Sequence, residues 1–150
     1  MPNTGPAYAR AFMMHREPLS ILLSQVPDDK ADFSSWEGGM SFQTLTDHLA
    51  ISSERMVAML AGEALGKPEP AQDFAAAKAR LNATTDTIRT KLESLNEEEL
   101  GAVIEAFGGR QMPTHTLIDF MREHEVHHKG QVWTMARMIG LEPGLFIKLG

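Results

Sequence analysis

Apolar residues recur every three or four positions in four separate stretches of the chain. That spacing lines them up along one face of an α-helix. In the first stretch Tyr8, Phe12, His15, Leu19, Leu22 and Val26 share such a face. Pro18 falls inside it and is expected to kink the helix or split it in two, because proline lacks an amide hydrogen and crowds the turn before it. The loop from Pro27 to Met40, with its paired aspartates and Gly38-Gly39, ends the stretch. The second opens at Ser41, a natural N-cap with Gln43 close behind, and carries Phe42, Leu45, Leu49, Met56 and Met59 to about Gly62. The third begins beyond Pro68-Glu69-Pro70 and runs through Phe74, Leu81, Ile88, Leu92 and Leu95. Its Ala, Thr and Lys content predicts a solvated outer face.

Between Asn96 and Pro113 the pattern changes. Val103, Ile104 and Phe107 followed by Gly108-Gly109 predict a short extended piece with a turn. Met112-Pro113-Thr114 then leads into the last helix, which ends at Gly140 with Pro143 beyond it. Four helices without an internal repeat or an alternating strand pattern predict an all-α, four-helix bundle spanning residues 1–150 as one domain.

Composition narrows the functional classes. The net charge of −6 comes from 20 acidic and 14 basic residues with no Lys/Arg cluster, which argues against nucleic acid or an anionic membrane surface as partner. The chain has no cysteine, so disulfides, thiolate metal sites and a cysteine nucleophile are excluded; a metal site must use imidazole and carboxylate. The first residues lack the basic start and apolar run of a secretory signal, and no stretch approaches the roughly 18 apolar residues that cross a bilayer. A cytoplasmic location is the resulting expectation.

The last helix carries the candidate chemistry. At about 100° per residue, Leu117, Met121, His124, His128, Gln131, Met135 and Met138 fall in one narrow band. Two imidazoles and an amide thus sit in the stripe that faces the core, while Arg122, Lys129, Trp133 and Arg137 lie opposite, on the expected solvent side. Burying two imidazoles without partners is costly, since each ring has two nitrogens to satisfy. A shared divalent ion removes that cost, because side chains at i and i+4 converge above the helix. Two ligands hold an ion weakly. His48, at the edge of the stripe of Leu45, Leu49 and Met59, is the candidate third ligand, with His15 in reserve. A lone inward histidine such as His15 is otherwise expected to be a hydrogen-bonded core residue. His127 is expected to support the site or face a neighbour, and His115 to be solvated.

The segment His124-Glu125-Val126-His127-His128-Lys129-Gly130-Gln131 resembles the His-x-x-x-His helix of the DinB/YfiT-like proteins, the DNA-damage-inducible family of metalloenzymes. The likeness extends through Phe107–Pro113, through Gly140-Leu141-Glu142-Pro143, and through Gly39–Leu49, where the family places its first metal histidine. It implies a four-helix bundle of up-down-down-up order with a long crossover, often a homodimer. It also implies a zinc, nickel or similar divalent ion on His48, His124 and His128. Some relatives are thiol-dependent transferases or isomerases that use low-molecular-weight thiols.

An ion on three neutral imidazoles keeps open coordination positions for a water or a substrate thiolate. Glu125 is the candidate catalytic proton acceptor or partner of a ligating ring, with a solvated charge as the alternative. Gln131 is the candidate to orient a bound cofactor or cap an imidazole, and Asp47 and Glu54 flank His48 as further candidate partners. Phe12, Met121 and Met135 are candidate walls of an apolar cleft. The expected function is a metal-dependent transferase or hydrolase acting on a small molecule. Two alternatives stand beside it. His124-Glu125-Val126-His127-His128 also fits the His-Glu-x-x-His signature of zinc peptidases, though only 22 residues follow it and they include no histidine. A metal-stabilised structural bundle without turnover would be favoured by a closed site, with His15 as fourth ligand.

Overall fold

The computed structural model describes residues 3–150. Four long helices, α1 (Gly5–Gln25), α2 (Phe42–Leu60), α3 (Phe74–Ser94) and α5 (Thr114–Met138), account for the four periodic stretches. A short α4 (Glu97–Gly101) and an antiparallel hairpin, β1 (Val103–Ala106) with β2 (Arg110–Pro113), lie between α3 and α5. Among the described residues no helix is long and apolar enough to cross a membrane.

The helix directions follow from two apolar clusters. One gathers Leu19, Leu22 and Leu23 from the end of α1, Phe42 and Leu45 from the start of α2, Phe74 and Leu81 from the start of α3, and Val132 to Ala136 from the end of α5. The other gathers Tyr8 to Met13, Met56, Ile88, Leu92 and Leu117 to Met121 from the opposite ends. Hence α1 and α5 run one way, α2 and α3 the other: up, down, down, up. Because α2 and α3 start at the same end, residues 61–73 must travel back along the bundle as the crossover.

Local chemistry sets the element ends. The Ser41 hydroxyl accepts from the Thr44 amide while the Thr44 hydroxyl accepts from the Ser41 amide, a reciprocal cap that starts α2. Thr44 takes the place expected of Gln43, whose amide instead reaches the Ala71 carbonyl in the crossover. Asn96 and Glu99 make the same reciprocal cap for α4, which went unpredicted. The hairpin turn is Phe107-Gly108-Gly109, all three at positive φ, and Phe107 at +50° is the one non-glycine in that region among the described residues.

Two expectations need correction. Pro18 does not divide α1 in two, the second of the outcomes expected of it: the helix runs through as one element. The carbonyl of Met14, which the missing amide of Pro18 leaves without a helical partner, accepts instead from the amide of Lys148 at 2.9 Å. The C-terminal segment that supplies this bond also covers the outer face of α5. Trp133 donates to the Gly144 carbonyl and Lys129 to the Phe146 carbonyl, so both side chains are buried rather than solvated.

Candidate metal centre

Between the two apolar clusters the bundle carries a layer of polar side chains, one contribution from each long helix. At its centre is Arg16, fully buried in α1. Its guanidinium donates to both oxygens of Glu125 in α5 (2.6 and 3.0 Å), to the Ser53 hydroxyl in α2 (2.6 Å) and to the Thr85 hydroxyl in α3 (3.1 Å). Five N–H donors in a planar fork suit Arg to such a hub, where every partner must be met because water is excluded. Sequence reasoning passed over Arg16. Its signal was an arginine four residues after Phe12 and three before Leu19, inside the apolar stripe of α1.

Beside this hub the structure brings together His48 of α2 and His124 and His128 of α5. One nitrogen from each ring lies within 4.8 Å of the other two, so the three residues are positioned to hold a metal ion. His48 Nε2 and His124 Nε2 are 3.1 Å apart. Two nitrogens bound to one ion at about 2.0–2.1 Å with tetrahedral angles stand about 3.3 Å apart, so this pair already has the spacing of shared ligands. All three rings pack at centroid distances of 4.5 to 5.0 Å.

Two of the rings, His48 and His124, are also held in the chemical state that ligation needs. Burial, reinforced by the neighbouring His128 and His48, lowers the His124 pKa from its ordinary 6.5 to about 4. His48 is shifted the same way, by burial first and then by the charges of His128 and Arg55. Neutral imidazole offers a lone pair, whereas imidazolium offers none. His128 Nδ1 lies 2.7 Å from Gln131 Oε1, and since that oxygen only accepts, Nδ1 donates. With Nδ1 engaged in that bond, Nε2 is the His128 nitrogen available to an ion. Gln131 therefore fixes the tautomer of a candidate ligand, as outer partners of metal-bound histidines do.

The remaining candidates lie elsewhere. Glu125 is 2% exposed and engaged at both oxygens by Arg16, which removes the solvated alternative and ties its carboxylate into the buried hub. His15 accepts at Nδ1 from Lys129 Nζ at 2.9 Å, for an ammonium has only protons to offer. His15 thus holds its own proton on Nε2 and has no lone pair left for an ion. His127 is exposed, its ring 4.8 Å from that of His128. Asp47 points away from the cluster, pairing with Arg80 of α3 at 2.6 Å and accepting from the Ala71 amide, and Glu54 faces the same arginine. His115 stands apart, half-buried in the first turn of α5. Phe12, Met121 and Met135 are buried core rather than cleft walls.

Comparison with known proteins agrees with this architecture. A curated relative, the uncharacterized protein YjoA of Bacillus subtilis (strain 168), is 30% identical over 135 residues, 86% of each chain. The crystal structure of that DinB-like protein superposes with a TM-score of 0.80 at 25% identity, covering 94% of this chain and 97% of its own. A DinB-like protein from Bacillus cereus shares the fold, with a TM-score of 0.83 at 15% identity over 97% of this chain and 99% of its own. The model of the DinB family matches residues 1–148. With a histidine cluster bridging α2 and α5 of an up-down-down-up bundle, the chain belongs to the DinB family.

Proposed function

We propose that this chain is a metal-dependent enzyme that binds a small molecule, with a low-molecular-weight thiol as the reacting group. The ion, zinc or nickel, sits on His48, His124 and His128. The observation that carries this reading is the number of protein ligands. Among the described residues three, not four, converge, and His15, the one reserve, is consumed by Lys129. Closed structural sites take four protein ligands, whereas catalytic sites take three and keep a position open. A divalent ion in such a site supplies Lewis acidity and lowers the pKa of a group in the open position.

The surroundings favour a thiol over water as that group. Hydrolysis of the His-Glu-x-x-His type needs a carboxylate ready to accept a proton, and the guanidinium of Arg16 bound to both oxygens of Glu125 favours its ionised form and makes it a poor acceptor. A thiol has an ordinary pKa of about 8.5, so a modest shift ionises it without a protein base. The neutral rings of His48 and His124 keep the site ready at neutral pH, and Gln131 holds His128 in its ligating tautomer.

Elemental analysis of the purified protein tests the reading. About one divalent ion per chain is expected, lost in His124→Ala while the helical circular dichroism is kept. Equal metal content in both proteins would remove the centre. For the thiol, glutathione added to cobalt-substituted protein is expected to raise a sulfur-to-metal charge-transfer band. An unchanged spectrum would return the choice to a non-catalytic, metal-stabilised bundle.

A further inference from the structure

A cleft of about 650 Å³ lies between the C-terminal half of α2 and the hairpin, a volume that suits a small molecule. Arg55, Met59 and Glu63 line one side, and Ile104, Glu105 and Phe107 the other. Arg55 follows His48 by seven residues in α2, which returns it to nearly the same face about 10.5 Å along the axis. Across the cleft Phe107 packs edge-on to Phe120 of α5 at 5.1 Å, and Phe120 stands one turn before His124. Each wall thus has a residue aligned with one of the three histidines, Arg55 with His48 along α2 and Phe107, through Phe120, with His124 along α5.

Two features single this cleft out. Phe107, at φ +50°, holds a conformation that a bulky residue rarely adopts, and the residue is 43% exposed at the cleft rim. Such strain persists where the surroundings impose it and collects at ligand sites. Arg55 is exposed, and among the described residues no carboxylate comes within 4.0 Å of its guanidinium, although Glu63 and Glu105 line the same cleft. Its charge is nevertheless felt at His48, whose protonation it opposes.

We propose that this cleft binds the tail of the ligand whose head occupies the histidine cluster, and that Arg55 pairs with a carboxylate on that tail. The inference rests on the metal-centre reading above and adds the class of ligand: an elongated monocarboxylate with a metal-seeking head. An apolar middle fits Met59, Ile104 and Phe107. Glu63 and Glu105 give the cleft a net negative charge, so an anion is held only where Arg55 pairs with it locally, and each further negative charge on the ligand is disfavoured. Arg55 is a specificity residue here, for a guanidinium grips a carboxylate through paired, charge-assisted hydrogen bonds.

Titrating cobalt-loaded protein with mercaptohexanoate and with its neutral counterpart mercaptohexanol tests this. The acid is expected to bind about tenfold more tightly, a difference of about 1.4 kcal/mol. In Arg55→Met the preference should vanish while cobalt content is unchanged, since Arg55 is exposed and not a ligand. Equal affinities for acid and alcohol, or a preference that survives in Arg55→Met, would overturn the proposal. If cobalt does not bind, the metal centre fails by itself, and the cleft is then judged on metal-free protein with hexanoate. A shift of the Arg55 Nε–H resonance in the native protein, together with a Phe107 amide shift that is lost in Arg55→Met, supports the cleft; no shifts overturn it.

Discussion

Arg16 and Glu125 form a two-pronged ion pair, Nε to Oε1 at 2.6 Å and Nη2 to Oε2 at 3.0 Å, with both side chains buried. The pair joins α1 to α5 immediately next to His124. Its energetic weight emerges when one member is lost, because the other charge is then buried alone.

Glu125→Gln is therefore expected to destabilise the protein by about 3–5 kcal/mol, read from urea denaturation. Where the variant is folded it should still take up metal, since the three histidines are untouched. Normal stability would show that the pair is not formed in solution.

Stability of the metal-free protein should fall as the medium is acidified. His124 titrates near 4 in the fold but near 6.5 once unfolded, and His48 is shifted in the same direction. Above about 6.5 neither state binds the proton; below it the unfolded chain does so first, and the loss grows until about 4. Thermal melts with chelator at about pH 7.5 and about pH 5 should show the lower Tm at the acidic value. The difference should shrink in a His48→Asn, His124→Asn double variant, and an equal difference there would assign the effect to other groups.

Gln131→Leu removes the acceptor that holds the His128 tautomer. Metal affinity should drop by roughly 10–100-fold without loss of fold, as measured by competition with a chelating dye. Gln131→Glu, which keeps an acceptor, should restore most of it.

The four long helices were legible because each carries an apolar stripe several turns long. So was the hairpin, from Gly108-Gly109. The pairing of His48 with His124 and His128 was reachable from their places on those stripes together with the family resemblance. The burial of Lys129 and Trp133 was not, for the segment that covers them has no periodicity and its docking depends on tertiary contacts alone. Arg16 was hidden for another reason: a single charged residue within an apolar stripe gives no clue to its partners, which here come from three other helices. The capping pair Asn96 and Glu99 was present in the sequence and simply marks a helix too short to show a stripe.

Pro18 gives a prediction of coupling. Replacing a proline inside a helix with alanine ordinarily gains about 3 kcal/mol. In the full chain the gain should be much smaller, because the Met14 carbonyl already has the Lys148 amide. In a chain shortened to end at Phe146, Pro18→Ala should recover more of the ordinary gain. A double-mutant cycle on denaturation free energies measures this, and strict additivity would show that the Lys148 contact contributes nothing.

The polar layer also divides the protein mechanically. Leucines and phenylalanines at either end of the bundle belong to separate cores, so substitutions made at the two ends should add independently, and each end can be redesigned without disturbing the other. The waist between them has little grease of its own. An ion gripped there by α2 and α5 would rivet those two helices side by side at the waist, so its loss should loosen the molecule at the middle before either end melts.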